Sequence, residues 1–129
     1  MMKNKGVALL LALFTLLIIA LLVIAFLETT AIELQIVNNQ LNRNKALYIA
    51  DAGVEYVVSC LKVSKTVSPY STQLPSGSGD TYSVTYVSSS GIITSTGTLV
   101  SGEHVDLEAK VSVTGSGIFT VKILYWSEL

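Results

Sequence analysis

Cysteine, histidine and proline are almost missing from this chain. One cysteine, Cys60, stands in 129 residues, so no disulfide can form within the chain and packing must hold the fold. Histidine also occurs once, at His104. No CxxC, HExxH, GxSxG or phosphate-cradling glycine loop occurs, which removes the usual signatures of metal, nucleophilic and nucleotide chemistry. Charge is scarce: 8 Lys and Arg stand against 9 Asp and Glu, a net charge of −1. That balance gives no electrostatic case for nucleic acid or acidic lipid. The composition therefore points to a non-enzymatic protein with no cofactor, no bound metal and no nucleic-acid partner.

The two prolines, Pro69 and Pro75, leave residues 1–68 free of the strongest helix breaker. Within that stretch a basic leader carrying Lys3 and Lys5 runs to Gly6, and Val7–Leu27 then holds no charge. Of those 21 residues, 16 are Leu, Ile, Val or Phe. At roughly −0.3 to −0.6 kcal/mol per central residue, insertion into a bilayer is favourable by about 5 kcal/mol or more. As a helix the run spans about 30 Å, one hydrocarbon core. Lys3 and Lys5 before it place the N-terminus in the cytoplasm and the bulk of the chain outside, as a single-pass protein of the cytoplasmic membrane. A cleaved secretory signal has an apolar core of about 7–15 residues and a small-x-small site after it. This run is longer, and Phe26-Leu27-Glu28-Thr29-Thr30-Ala31 offers no such site.

Beyond Leu27 the helical pattern continues. Thr29 and Thr30 form its weakest point by propensity. From Ala46 the pattern sharpens: Ala46, Ala50, Gly53, Val57 and Leu61 recur at spacings of three and four and share one face, widened by Leu47, Val54 and Val58. Small residues there admit close approach of another backbone. Asn42, Lys45, Asp51, Glu55 and Lys62 mark the expected exposed face. One helix from Val7 to Ser64 is predicted, about 85–90 Å long. Residues 7–27 form its membrane stem and 28–64 its amphipathic continuation.

Residues 65–80 read as a loop, broken by Pro69, Pro75 and Ser76-Gly77-Ser78-Gly79. From Thr81 the period changes to two. Strands are expected around Tyr82–Tyr86, Ile92–Leu99, Val105–Val113 and Ile118–Trp126, separated by Gly and Ser turns. In the third, Val105, Leu107, Ala109, Val111 and Val113 face one way, and His104, Asp106, Glu108, Lys110 and Ser112 the other. Residues 81–129 thus form a β domain whose apolar face needs the helix stripe as a cover. The fold class is α+β: a long N-terminal helix packed on a four-stranded antiparallel sheet.

Two stretches carry a family resemblance. Lys5-Gly6-Val7-Ala8-Leu9-Leu10-Leu11 and Asn44-Lys45-Ala46-Leu47-Tyr48-Ile49-Ala50-Asp51-Ala52-Gly53-Val54-Glu55-Tyr56 resemble the corresponding parts of type IV pilin-like precursors, in particular minor pilins of the PilX group. The resemblance covers residues 1–62. It implies that residues 1–6 are a prepilin-type leader, that a prepilin peptidase cuts between Gly6 and Val7, and that Val7 is then N-methylated. It also implies partners, namely other pilin or pseudopilin subunits, and a place in a type IV pilus or type II secretion pseudopilus at the cell surface. Most such proteins carry Glu as the fifth mature residue, and here that residue is Leu11; Val7 likewise replaces their usual first Phe or Met. These departures imply a minor or priming subunit. The alternative is a permanently signal-anchored surface protein displaying an adhesin-like β module.

Other candidates are weaker. His104 lies among Glu103, Asp106 and Glu108, whose bland reading is a solvated strand face. Cys60 sits among Val57, Val58 and Leu61 and reads as a small buried apolar residue. Asp51 and Glu55 read as a solvated helix face. Tyr82, Tyr86, Tyr125 and Trp126 are expected in the core.

Overall fold

Alanine and leucine dominate the first half of the chain, and the helix they favour is unbroken. The computed structural model describes residues 3–129, with side chains from residue 6 onward. Helix α1 runs Lys3–Leu61, and strands β1 (Tyr70–Gln73), β2 (Thr81–Val87), β3 (Ile92–Thr98), β4 (His104–Thr114) and β5 (Thr120–Glu128) follow. The predicted helix began at Val7; it begins at Lys3 instead, and the side chains of Lys3 and Lys5 lie outside the described residues, as do residues 1–2. Thr29 and Thr30 do not interrupt it; their hydroxyls donate to the Ala25 and Phe26 carbonyls one turn back, at 3.0 and 2.9 Å. At its end the Val63 and Ser64 amides both donate to the Cys60 carbonyl, and the Lys62 carbonyl accepts from the Phe119 amide at 3.0 Å. A tertiary bond thus takes over where the helix ladder stops, three residues before the expected Ser64.

The chain divides into two compact units at Asn39/Gln40. In the first, the apolar side chains from Val7 to Val37 stand exposed. In the second, Gln40–Leu61 packs on a five-stranded antiparallel meander of order β1-β2-β3-β4-β5. The sequence reading gave four strands and a loop over 65–80; the additional strand is Tyr70–Gln73, paired to β2 with Tyr70 opposite Val84. Tyr and Thr favour a strand there, and its edge position tolerates the flanking prolines.

Ala46, Ile49, Ala50, Val54, Val57 and Leu61 from the helix meet Tyr82, Val84, Ile93, Val105, Leu107, Ala109 and Val111 from the sheet. The alternation expected for β4 holds, with Val105, Leu107, Ala109 and Val111 buried and His104 exposed. Burying one Leu or Ile side chain stabilises by about 1.5–3 kcal/mol, so Leu61, Ile93 and Leu107 anchor this unit. The small helix residues set the distance. A Cβ added at Gly97 would overlap the Ala46 carbonyl oxygen and lie 2.6 Å from the Ala50 amide nitrogen; one added at Gly53 would overlap Ser95 Oγ. Buried Ser95 uses this closeness to donate to the Ala50 carbonyl at 2.7 Å.

Three expectations need correction. Asn42 is half-buried rather than exposed, and its Nδ2 donates to Glu103 Oε1 at 3.2 Å; Lys45 is exposed as expected, yet its Nζ pairs with buried Asp80 at 2.6 Å. Tyr125 and Trp126 are exposed, because β5 is the sheet's edge strand. Cys60 is half-buried rather than buried, being on the flank of the helix stripe.

Candidate functional site

Gly6 and Val7, the expected processing junction, lie in the first turns of α1. A Cβ at Gly6 would meet nothing within 4 Å, so packing places no demand for glycine there. What glycine does at this position is local. It weakens the helix by about 1 kcal/mol relative to alanine and leaves the following peptide bond unshielded by a side chain.

Val7, Ala8, Leu11 and Ala12 line a shallow apolar depression on the stem. Leu11 stands 61% exposed within it, so the fifth residue after Gly6 presents isobutyl rather than carboxylate. The one hydroxyl in the stem, Thr15 Oγ1, donates to the Ala12 carbonyl at 2.8 Å. Every polar side-chain group of Val7–Leu27 is thereby satisfied within the helix, as hydrocarbon surroundings require. Among the described residues one helix, near the N-terminus, is long and apolar enough to cross a membrane.

In the second unit, a ring of polar contacts joins the helix to the end of the sheet nearest Ala46. Lys45 pairs with Asp80, Asn42 with Glu103, and Arg43 Nη2 with Glu128 Oε1 at 2.6 Å. Lys45, and next the Val100 amide donating at 3.0 Å, hold the Asp80 carboxyl below the usual carboxylate range. Glu103 is lowered as well, chiefly by Ser101, then by its own backbone amide and Asn42. The sequence reading missed this ring, although Asn42, Arg43 and Lys45 recur on adjacent positions just before the apolar stripe.

The candidates for chemistry are separated by the fold. Asp106 accepts from Thr96 Oγ1 at 2.6 Å, and Glu108 from the Tyr125 hydroxyl at 2.7 Å, while His104 stands exposed at the start of β4. The bond to Glu108 raises the Tyr125 pKa above the usual phenol value. No cluster of three His, Cys, Asp or Glu with metal-binding geometry occurs among the described residues. Asp51, Glu55 and Lys62 flank a groove of about 440 Å³ between the helix and β5, with Ile123 and Trp126 as its far wall. On β5, Ile123, Leu124, Tyr125 and Trp126 are each 44–52% exposed, an apolar edge with a bulge opposite Lys110/Val111.

No protein-family model, curated protein or solved structure matches this chain. In general architecture, a long apolar N-terminal helix packed at its far end on an antiparallel sheet, the chain is pilin-like.

Proposed function

We propose that this chain is a non-enzymatic minor pilin or pseudopilin, of the PilX type, that takes part in assembly or priming of a type IV pilus or type II secretion pseudopilus. One observation carries the reading: a single helix joins an exposed, charge-free apolar stretch to a segment sealed on a β-sheet. Exposed apolar area of this extent needs lipid or other stems around it. Before assembly Val7–Leu27 anchors the chain in the cytoplasmic membrane, with the β domain outside. A prepilin peptidase removes residues 1–6, Val7 is N-methylated, and the stem passes from lipid into contact with the stems of neighbouring subunits. A buried carboxylate costs a few kcal/mol in hydrocarbon. With Leu11 in place of one, the stem avoids that cost and makes no ion pair with a neighbour's terminal amine. That favours a minor or priming position over the repeating one.

Mass spectrometry of the mature N-terminus tests this. Cells with prepilin peptidase should yield a chain starting at methylated Val7, cells lacking it a chain retaining the leader, and Gly6→Val should block processing. A terminus at Met1 or Met2 in the presence of the peptidase rejects the proposal. It would favour instead a permanently anchored surface protein that uses its β domain for binding, a reading to which the exposed Ile123–Trp126 edge lends support.

A further inference from the structure

The carboxylates of the sheet thin out along it, with Glu108, opposite Thr94 midway along β4, the last before Lys110. Asp80, Glu103, Asp106 and Glu128 gather where the helix segment enters, together with Arg43 and Lys45. At the opposite end the sequence becomes free of carboxylates: residues 56–79 carry only Lys62 and Lys65, residues 81–102 carry no charge, and residues 109–127 carry only Lys110 and Lys122. The fold brings these three stretches together. A cleft of about 590 Å³ opens there, a volume within the range of small-ligand sites.

Lys65 and Lys110 are the only charged residues lining it, and among the described residues neither sits in an ion pair. Hydroxyls surround them, from Thr66, the run Ser88-Ser89-Ser90, and Ser112. Tyr86 and Leu124 add apolar wall.

The cleft is held in shape by the chain around it. Gly91 closes the serine turn at φ 68°, a conformation that favours glycine, and a Cβ there would overlap the Val111 carbonyl. The Val111 amide donates to the Gly91 carbonyl at 2.8 Å and fixes the turn to β4. Ser64 Oγ donates to the Thr66 carbonyl at 3.0 Å, and the Lys65 ammonium rests 5.2 Å from the Phe119 ring centroid.

We propose that this cleft binds an acidic sugar unit, a pyranose bearing a carboxylate. Neither lysine is paired with a carboxylate among the described residues, and Glu108, two residues from Lys110 on the same face of β4, accepts from the Tyr125 hydroxyl instead, so the two ammonium groups favour an anionic group. Serine and threonine hydroxyls both donate and accept, which matches a ligand carrying several hydroxyls rather than a bare inorganic ion. Tyr86 and Leu124 meet the C–H face of a sugar ring. Nucleic acid needs a track of cations along a backbone and stacking surfaces, and two lysines in one cleft supply neither. The proposal goes beyond filament assembly and stands whether or not the stem enters a filament.

Calorimetric titration of the full chain, in a polyoxyethylene detergent that carries no sugar, tests it. Glucuronate or N-acetylneuraminate should bind saturably, and glucose at equal concentration should not. Saturation by one acid sugar and not the other identifies a hexuronate or a sialic-acid source, and both outcomes support the site. Lys110→Gln and Lys65→Gln should each weaken binding about tenfold, the scale of one charge-assisted hydrogen bond. Lys122→Gln, outside the cleft, should change it less than about twofold, as expected of a screened surface charge. Failure of both acid sugars to bind overturns the proposal. So does equal affinity for inorganic phosphate, displacement of the sugar by a short DNA duplex, or unchanged binding in Lys110→Gln.

Discussion

The two halves of α1 obey different rules although one helix contains both. From Val7 to Leu27 apolar residues surround the helix on every side, and no stripe is distinguished. From Gln40 to Leu61 the buried positions narrow to one face, and the largest residues give way to Ala46, Ala50 and Gly53 at the closest approach. An all-round apolar helix matches a solvent that is itself apolar, whereas a narrow stripe of small residues matches one particular surface. The first half is thus specified by composition and the second by shape. Equivalent substitutions in the two halves should therefore have unequal effects.

The largest contrast is expected from leucine truncation. Leu107 is fully buried under the helix, and Leu107→Ala should destabilise the second unit by about 2–5 kcal/mol through lost burial and the cavity left behind. Leu16 is 70% exposed within its own unit, and Leu16→Ala should leave the thermal unfolding of the sheet unchanged. Near-ultraviolet circular dichroism melts of both variants in detergent check this. Equal losses in the two variants would mean that stem and sheet share one cooperative core, and the distinction drawn above would fall.

A smaller contrast is expected from pH. The second unit ties Asp80 to Lys45 and the Val100 amide and Glu103 to Asn42, and their folded pKa values lie below the ordinary 3.8 and 4.5. A group lowered on folding contributes stability that is complete above its unfolded value and is lost as pH falls through the folded one. The denaturation midpoint of the second unit should therefore hold steady down to about pH 5 and decline below the ordinary carboxylate values. In Asp80→Asn the midpoint should start lower at neutral pH and decline less steeply in acid. An equally steep acid decline in that variant would show that the ring around Lys45 does not carry the dependence.

How much of this was legible beforehand follows from the same contrast. The stem, the helix stripe and the alternation of β4 are periodic, and period alone assigns their faces. Nothing periodic marks Tyr70–Gln73: four residues between two prolines form a strand because β2 offers an open edge. Tyr125 and Trp126 look like core by composition, yet β5 is the last strand of the meander and leaves both about half exposed. Asn42 and Lys45 look like wet helix surface, and only the fold brings Glu103 and Asp80 to them. The basic cleft was half visible. The absence of carboxylates from 56–79, 81–102 and 109–127 can be read from the chain, but that these stretches converge is a matter of strand register. The Gly6-Val7 junction was legible only as a motif, since no packing in the described residues requires glycine at that position.

The finest contrast is between two hydroxyls. Thr15 Oγ1 and Ser95 Oγ each donate one hydrogen bond to a carbonyl of α1, at 2.8 and 2.7 Å. Thr15 bonds within its own turn, so its bond survives in any surroundings and adds nothing to the specificity of a partner. Ser95 bonds across the helix–sheet contact, so its bond exists only when Gly53 and Gly97 let the two backbones close. Thr15→Val removes donor and bond together and keeps the shape. It should shift membrane partitioning of the full chain by no more than about 0.5 kcal/mol. Ser95→Ala should cost the second unit about 1 kcal/mol, the net worth of one buried hydrogen bond. The comparison breaks if Ser95→Ala melts with the parent chain, for the close approach would then rest on apolar contact alone. It sharpens if the loss in Ser95→Ala vanishes in a Gly97→Ala background, where the helix already stands off the sheet and the serine has no carbonyl within reach.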